Sequence, residues 1–332
     1  MLKNFLAFFL GLFLQNIGDV QSPEHLCLRN IRQITFPSMG FEKAGESYFS
    51  PDGKTLIFQA VPTGKTQYQI YTIDIEKGIP HLVSTGRGAC TCASFRADGN
   101  KIIFASSHES PNGNDNDAPG YQRETSNYSW KFTPYMNIYE ANLDGSDLIS
   151  LTTGASYCAE CAYSYDGSKI VFASNRSGNM NVYTMNADGT NVQQITHTTH
   201  GYNGGPFLSP DGTKILYRAD YDKKDYLQIY CFHIATKHIQ QLTNNGAVNW
   251  APFWHPDGKV IAFTTSLHGH HQYEIYLLNI ETNNTYRLTY NASFDGLPSF
   301  NKDGTQITWT SKRGPDQTCQ IFVADFVMPK NV

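Results

Sequence analysis

One short pattern occurs six times in this chain, and it constrains the fold more than any other feature. Each copy begins with an aromatic residue or leucine, which is followed three positions later by Asp-Gly and then by alternating apolar residues. The copies are Phe49–Gly53, Phe95–Gly99, Tyr163–Gly167, Leu208–Gly212, Trp254–Gly258 and Phe300–Gly304. Successive Asp residues are 46, 68, 45, 46 and 46 positions apart. A period in the mid-forties is typical of stacked sheet units, because one unit cannot cover its own hydrophobic faces.

Each period reads as four strands. Asp-Gly between two apolar runs predicts a hairpin turn, since Asp bonds its own backbone and Gly adopts the left-handed conformation. A third strand such as Asn181–Tyr183 follows, and a fourth ends in Leu/Ile-Thr, as at Ile195-Thr196. The sixth copy lacks a fourth strand, whereas Arg32–Thr35 matches one and precedes the first copy. We therefore predict an all-β fold, a six-bladed β-propeller whose last blade is closed by the N-terminal strand.

The charge balance excludes one class of partner. The chain has 25 Lys and Arg residues against 29 Asp and Glu residues, a formal net charge of −4. Nucleic-acid binding requires a basic face that displaces counterions from phosphates, so we expect no nucleic-acid partner.

The first residues are predicted to be an export signal. Lys3 supplies a positive amino end, and the apolar run Phe5–Leu14 is too short to span a bilayer. We assign residues 1–22 to a signal peptide, with an uncleaved anchor as the alternative. Since no other stretch reaches membrane-spanning length, we expect a periplasmic or secreted protein without a further membrane span.

The repeats resemble those of the TolB-like propeller family, also called WD40-like or PD40 repeats. The stretch from Phe172 to Thr196 is similar to the family's usual repeat, and the likeness covers residues 31–326. The resemblance implies a six-bladed propeller of four-stranded blades. It also implies a stand-alone exported member, because the family's namesake carries an α/β domain before its propeller and this chain has no room for one. We expect a monomer.

Polar residues recur in the loops that lead into the blades. Fourth-to-first and second-to-third strand loops surround the same mouth of a propeller's channel. The polar residues near the entry of the first strands are Glu46, Glu160, Asn203, Asn249 and Asp295. A ring of this kind can bind a cation, a sugar or a peptide. The alternative is local, since Asn and Asp are favoured in turns without any ligand.

Blade 2 contains an insertion at about residues 108–134, which accounts for the 68-residue spacing. Loops of this length in compact domains are usually functional or disordered. Tyr121 and Trp130 in the insertion favour contact with a ligand, because aromatic side chains supply binding area with few rotatable bonds. The sequence leaves two interpretations of this insertion, a binding lid and a flexible insert.

Histidines are predicted on the same face. His108 belongs to the blade 2 loop, and His268 and His271 to the opposite loop in blade 5. Imidazoles near carboxylates can hold a transition metal, and some polysaccharide lyases with this propeller hold a metal at the channel mouth. A divalent metal is thus the one candidate cofactor, and solvated histidines are the alternative.

Two arginines follow second strands in similar turns, Arg176 and Arg313. Their guanidinium groups can bind a carboxylate of a partner peptide or of an acidic sugar. Exposed turn charges are the alternative.

Four cysteines lie in matching loops that enter blades 2 and 3, namely Cys90, Cys92, Cys158 and Cys161. In an exported protein such loops favour a disulfide between the blades, with the pairing unassigned. Free core thiols and a four-thiolate zinc site are the alternatives.

The expected function is a binding or scaffold propeller that engages a protein, peptide or glycan at the channel mouth. No catalytic residue is predicted. The alternative is a metal-assisted polysaccharide lyase or hydrolase that uses the histidine-bearing loops.

Overall fold

The computed structural model describes residues 23–111, 121–124, 127–130 and 132–332. Within these residues, six four-stranded antiparallel sheets form the blades of a propeller, and one separate hairpin lies in the blade 2 insertion. Two short 3-10 helices, Pro23–Leu26 and Pro37–Met39, flank the first strand. The predicted all-β six-bladed propeller is confirmed.

The strands follow the chain blade by blade, with the first strand of each blade innermost. Blade 1 contains β2 (Phe41–Phe49), β3 (Thr55–Pro62), β4 (Gln69–Asp74) and β5 (Pro80–Leu82), and blade 2 contains β6 (Cys90–Phe95), β7 (Lys101–Ser106), β10 (Asn137–Asn142) and β11 (Ile149–Ser150). Blade 3 contains β12 (Cys158–Tyr163), β13 (Lys169–Ser174), β14 (Asn181–Asn186) and β15 (Gln193–Gln194), and blade 4 contains β16 (Asn203–Leu208), β17 (Lys214–Ala219), β18 (Gln228–His233) and β19 (His238–Gln241). Blade 5 contains β20 (Asn249–Trp254), β21 (Val260–Thr265), β22 (Glu274–Asn279) and β23 (Thr285–Arg287), and blade 6 contains β24 (Asp295–Phe300), β25 (Gln306–Ser311), β26 (Gln320–Phe326) and β1 (Leu28–Gln33). The remaining hairpin pairs β8 (Tyr121–Glu124) with β9 (Asn127–Trp130).

The ring closes on itself through its first strands and through β1. Each innermost strand contacts the innermost strands of both neighbouring blades, so the six line a central channel. β1 pairs antiparallel with β26, with Leu28 opposite Phe326 and Gln33 opposite Phe322. The ladder continues past β1, because the Ile34 amide donates to the Ile321 carbonyl at 2.8 Å. The predicted closing strand is therefore present, and it begins a few residues earlier than the Arg32–Thr35 pattern indicated.

The Asp-Gly turns fold as their chemistry predicts. In blade 4, Asp211 Oδ1 accepts from the Thr213 amide at 3.0 Å and from Ser209 Oγ at 2.5 Å. Gly212 has a φ of 70°, a backbone conformation that glycine adopts without steric cost. The same arrangement in the other blades explains why Asp-Gly recurs with the period of the blade.

The core lies between neighbouring blades. Every second strand presents one large, fully buried aromatic residue at the same position; they are Phe58, Phe104, Phe172, Tyr217, Phe263 and Trp309. Clusters of buried residues join adjacent blades, as where Val171 and Val182 of blade 3 pack with Leu208 and Tyr217 of blade 4. Burying each such side chain contributes about 1.5–3 kcal/mol, so the blades stabilise one another and hold the channel geometry.

Candidate functional site

Every innermost strand carries a β-bulge at the same position. The bulged residues lie three positions before the repeat's aromatic residue or leucine, and each has a positive φ: Glu46 (48°), Cys92 (55°), Glu160 (54°), Gly205 (57°), Ala251 (48°) and Leu297 (57°). The register with the second strand shifts at each of them. Bulges of this kind re-aim side chains, and here they form a ring around the channel.

Four of the displaced amides donate to side chains of the preceding blade. Three such pairs are Glu46 N to Thr310 Oγ1 (3.0 Å), Cys92 N to Gln59 Oε1 (3.1 Å) and Leu297 N to Thr264 Oγ1 (3.0 Å). In blade 3 the equivalent residue is Ala173, which has no side-chain acceptor, and Glu160 accepts from the Gly205 amide instead. One carboxylate oxygen of Glu160 therefore supplies the acceptor that Ala173 lacks.

Glu160 is the centre of a polar group shared by blades 3 and 4. Tyr202 Oη donates to its carboxylate at 2.6 Å, and Arg218 Nη2 lies 3.4 Å from Oε2 and donates to Tyr202 Oη at 2.9 Å. The side chains of Glu160 and Arg218 are only 6% and 13% exposed. A Cβ on Gly204 would collide with Tyr202 and Glu160, and one on Gly205 would collide with Arg218. The Gly204-Gly205 pair thus makes room for this group.

Glu46 lies in blade 1, across the ring from Arg218 in blade 4. Its contacts are longer: Tyr48 Oη donates to Oε1 at 3.3 Å, and Cys92 Sγ lies 4.0 Å from Oε2. Burial raises the pKa of Glu46 to about 6; the positive charge of Arg218 opposes this rise and the negative charge of Glu160 adds to it. Glu46 is therefore a channel carboxylate whose ionised form is only weakly stabilised by its surroundings.

Three aromatic side chains close the channel next to this polar region. Tyr48 lies 5.9 Å from Phe207 and 5.9 Å from Phe253, and the two phenylalanine rings are 4.9 Å apart, measured between ring centroids. Because Tyr48 belongs to blade 1 and the others to blades 4 and 5, the cluster spans the channel. On its far side, toward the Asp-Gly turns, lies an apolar cavity of about 140 Å³ lined by residues such as Phe95, Tyr165 and Phe300.

The opposite mouth, on the side of the fourth-to-first strand loops, has an aromatic rim. Phe132 stacks on Tyr202 at 5.9 Å, and Trp250 lies 6.4 Å from Phe294; all four rings are partly exposed. At the entry to blade 1, Lys43 Nζ lies 4.8 Å from the centre of the Tyr68 ring. We call this rim together with Glu46, Glu160 and Arg218 the channel site.

The structure separates the predicted polar ring into two sets. Glu46 and Glu160 reach the channel, whereas Asn203, Asn249 and Asp295 are fully buried at the start of their strands. Asn203 donates to the Met180 carbonyl at 3.2 Å, Asn249 to Gln228 Oε1 at 2.9 Å, and Asp295 accepts from Trp309 Nε1 at 3.0 Å. The reason is the register, because these three precede the repeat's aromatic residue or leucine by five positions rather than three.

The two predicted arginines differ in their surroundings. Arg313 is 9% exposed and bridges two carboxylates of this chain, Asp295 Oδ2 at 2.8 Å and Glu24 Oε1 at 3.0 Å. Arg176 is exposed, lies over the rings of Phe172 and Tyr183, and donates to Cys158 Sγ at 3.2 Å. The guanidinium of Arg313 is thus already occupied by carboxylates of the fold.

The structure describes part of the blade 2 insertion and all three of the histidines predicted as metal ligands. Backbone pairing places Tyr121 opposite Trp130 in the β8–β9 hairpin, and residues 112–120 lie outside the described residues, as does the predicted signal peptide at 1–22. His108 bonds Ser106 Oγ at 2.8 Å, His268 bonds Tyr276 Oη at 2.8 Å, and His271 is exposed. In the part of the chain that is described, no three His, Cys, Asp or Glu side chains are grouped as metal ligands.

All seven cysteines are free thiols, so the structure does not contain the predicted disulfide between blades 2 and 3. Cys90 Sγ lies 3.1 Å from Ser106 Oγ, and Cys158 Sγ lies 3.3 Å from Ser174 Oγ. Each thiol therefore faces the second strand of its own blade rather than the neighbouring blade. Cys161 Sγ donates to the Cys92 carbonyl at 3.3 Å, and both side chains are buried.

Sequence reasoning missed Tyr202, Arg218 and the aromatic closure. Arg218 carries a visible signal, since it is a charged residue within the otherwise apolar end of β17, where the equivalent residues are Gln59, Ala105, Ala173, Thr264 and Thr310. The adjacent Gly204-Gly205 pair is a second signal, because glycine within a strand often marks a bulge or a close approach.

Comparison with known proteins gives the family. The family model of the TolB beta propeller domain, PD40, matches residues 110–226 and 205–329. The chain belongs to this family. The Tol-Pal system protein TolB of Francisella tularensis subsp. tularensis (strain WY96-3418) is 31% identical over 118 residues, which is 34% of this chain and 27% of that protein. The chain thus matches about a quarter of the length of this curated relative.

Solved structures share the fold. A putative TolB from Agrobacterium tumefaciens is 19% identical with a TM-score of 0.60, covering 86% of this chain and 91% of that one. An oligogalacturonate lyase from Vibrio parahaemolyticus is 14% identical with a TM-score of 0.53, covering 90% and 94% of the two chains. Among the residues that the structure describes, no helix is long and apolar enough to cross a membrane.

Proposed function

We propose that this propeller is a binding module outside the cytoplasm that takes a segment of a partner protein or peptide into the channel site. The observation that carries the proposal is the shape of the channel. Tyr48, Phe207 and Phe253 block it on one side, and on the other side Glu46 and the rings of the aromatic rim are partly exposed. A blind pocket with an aromatic entrance and a few polar groups at its base suits one inserted side chain.

The chemistry of the rim supports a protein partner. Tyr and Trp are enriched where protein interfaces concentrate their binding energy, because they bury a large area and lose few rotamers. In this chain Tyr202 and Trp250 lie in the aromatic rim of the channel site. The matched relative is a Tol-Pal system protein, and we extend to this chain the idea that its role is assembly with other proteins. From the predicted signal peptide at 1–22 we infer that this assembly takes place in the periplasm or outside the cell, and we propose that this chain takes part in it as a monomer.

Site-specific photocrosslinking tests the proposal. A crosslinking amino acid replaces Trp250 at the rim, and as a matched control it replaces Ile239, an exposed residue of the outer strand β19. We expect a specific adduct from envelope extract at position 250 and none at position 239. Protease digestion of the adduct distinguishes a protein from a glycan. Equal labelling at both positions, or an adduct that survives proteolysis, contradicts the proposal.

An affinity measurement follows once the partner is isolated. Trp250→Ala is expected to weaken binding at least tenfold, as truncation of a central aromatic residue commonly costs more than about 1.4 kcal/mol. Ile239→Ala is expected to leave it unchanged.

A further inference from the structure

The two carboxylates of the channel site have different roles in the fold. Glu160 is bonded to Tyr202, Arg218 and the Gly205 amide. Glu46 has only its two long contacts, and within the described residues no basic side chain forms an ion pair with it. The Glu46 backbone amide donates to Thr310 Oγ1, a bond that does not use the Glu46 carboxylate. The fold therefore uses the Glu160 carboxylate and leaves the Glu46 carboxylate available in the channel.

Arg218 offsets the negative charge of Glu46 only in part, because the pKa of Glu46 stays raised despite this guanidinium. Arg218 faces Glu46 across the channel, but it forms its ion pair with Glu160 at 3.4 Å and donates to Tyr202 at 2.9 Å. Lys43, on the same strand as Glu46, lies over the Tyr68 ring at 4.8 Å. Among the residues that the structure describes, Glu46, Glu160 and Arg218 give this part of the channel two carboxylates and one guanidinium, and the excess of negative charge is best matched by a positive ligand group.

The walls select the kind of cation. Tyr48 supplies both a ring face and a hydroxyl next to the Glu46 carboxylate. Aromatic faces attract ammonium groups, and the position of Lys43 over Tyr68 shows that contact at the entrance. An ammonium has three N–H donors on one compact centre, so it can bond the Glu46 carboxylate and the Tyr48 hydroxyl oxygen together. A metal ion needs more oxygen ligands than this single uncommitted carboxylate supplies.

We propose that Glu46 binds a primary ammonium group inserted through the aromatic rim, and that in the partner this group is a lysine side chain. The proposal rests on the proposed function, since the lysine belongs to the protein segment taken into the channel. It goes further in naming the recognised group and the residue that holds it.

Calorimetric titration with small probes tests the site directly. The probes are Nα-acetyl-lysine amide, its uncharged isostere Nα-acetyl-norleucine amide, and n-butylamine. We expect the lysine probe to bind the full chain and the norleucine probe not to bind. Glu46→Gln should weaken the lysine probe at least tenfold, and Glu42→Gln, an exposed position on the same strand, should leave it unchanged. Equal binding by Glu46→Gln, or by the norleucine probe, overturns the proposal.

Two further measurements show whether a loss of binding comes from the lost charge or from misfolding of the variant. Glu46→Asp keeps the charge but shortens the side chain, so it should give intermediate affinity; an affinity no better than that of Glu46→Gln overturns the role of the charge. Binding should also weaken as the pH falls below about 6, where Glu46 becomes protonated. The ionisable groups that face Glu46 are Tyr48, Tyr68, Cys92, Glu160, Cys161 and Arg218.

The outcomes separate this inference from the proposed function. If Glu46→Gln loses the lysine probe but the crosslink at position 250 persists, Glu46 is confirmed as the ammonium site within a larger interface. If the crosslink persists and the lysine probe never binds, the inference fails and the proposed function stands. If n-butylamine binds as tightly as the lysine probe and no crosslink forms, the ligand is a free amine and the partner lysine is wrong.

Discussion

Two adjacent glycines determine how closely the side chains of blades 3 and 4 approach each other in the channel. Tyr202 and Glu160 occupy the space that a Cβ on Gly204 would take, and Arg218 occupies the space that a Cβ on Gly205 would take. Gly205 also has a φ of 57°, at which a Cβ costs about 1–2 kcal/mol in any surroundings. Position 205 therefore imposes both a conformational and a steric limit.

Comparing two glycine substitutions separates these limits. Gly212 has a φ of 70° and open space where a Cβ would lie, so Gly212→Ala adds only the conformational cost. Gly205→Ala adds the collision with Arg218, and we expect it to lower the free energy of unfolding by at least about 1 kcal/mol more than Gly212→Ala. Urea denaturation of the two variants measures the difference. Equal destabilisation would show that Arg218 moves away freely.

The sequence predicts which residue types line the entry loops, but it does not predict whether each side chain points into the channel or into the interior. Asn203 and Asp295 are predicted at the mouth because the fourth-to-first strand loops surround it. In the structure both are buried: Asn203 donates to the Met180 carbonyl of the preceding blade, and Asp295 accepts from Trp309 of its own blade. A displacement of two positions along a bulged strand decides between channel and interior, and the sequence alone does not reveal the bulge.

Among the elements, β1 carries the closure of the ring, and a buried ionic group reinforces it. Glu24, just before β1, accepts from the Tyr290 amide at 3.0 Å and from Arg313 Nη1 at 3.0 Å. Arg313 also pairs with Asp295, and both Glu24 and Arg313 are about one-tenth exposed. This group ties the 3-10 helix Pro23–Leu26 to blades 5 and 6.

Removing the Arg313 guanidinium should weaken the closure of the ring. Arg313→Met leaves Glu24 and Asp295 without their shared partner, and breaking a buried ion pair typically costs about 3–5 kcal/mol. The matched control is Arg32→Met, because Arg32 pairs with Glu76 at 3.0 Å with side chains 45% and 78% exposed, where the cost is below about 1 kcal/mol. Chemical denaturation compares them. Similar losses in both variants would contradict a role for Arg313 in closure.

The strands were predictable because each follows from a local pattern. Asp-Gly sets the hairpin and the apolar alternation sets the strand, so blade number and closure could be read from the sequence. The bulges were not predictable, since their displaced amides are bonded by residues of another blade, as Thr310 bonds Glu46. The direction of the Cys90 and Cys158 thiols was not predictable either, since each lies beside the second strand of its own blade.

For the molecule as a whole, buried carboxyl groups set how stability depends on pH. Glu274 is fully buried beside Arg287 at 2.9 Å and Thr289. Burial raises its pKa from 4.5 to about 7, with Asp295 adding to the rise and Thr289 and Arg287 opposing it. Between these two values the folded chain holds a proton that the unfolded chain has released. The free energy of unfolding contributed by Glu274 therefore decreases as the pH rises from about 4.5 to about 7.

Glu274→Gln should flatten this part of the stability profile. We expect the wild type to lose on the order of 2–3 kcal/mol of unfolding free energy across that interval through Glu274, and the variant to lose correspondingly less. Glu281→Gln in the same blade is the control, because Glu281 is 60% exposed. Denaturation midpoints at pH 4.5, 6 and 8 measure the slopes. Parallel profiles for wild type and Glu274→Gln would refute the assignment.

The pairing of β1 with β26 has a consequence for biosynthesis. During synthesis β1 cannot pair with its neighbour until β26 has been made, since Leu28 lies opposite Phe326. A nascent chain that still lacks β26 therefore holds two open edges. Deletion of β26 should be as harmful as deletion of an entire blade, since cellular quality control would meet an arc in place of a ring.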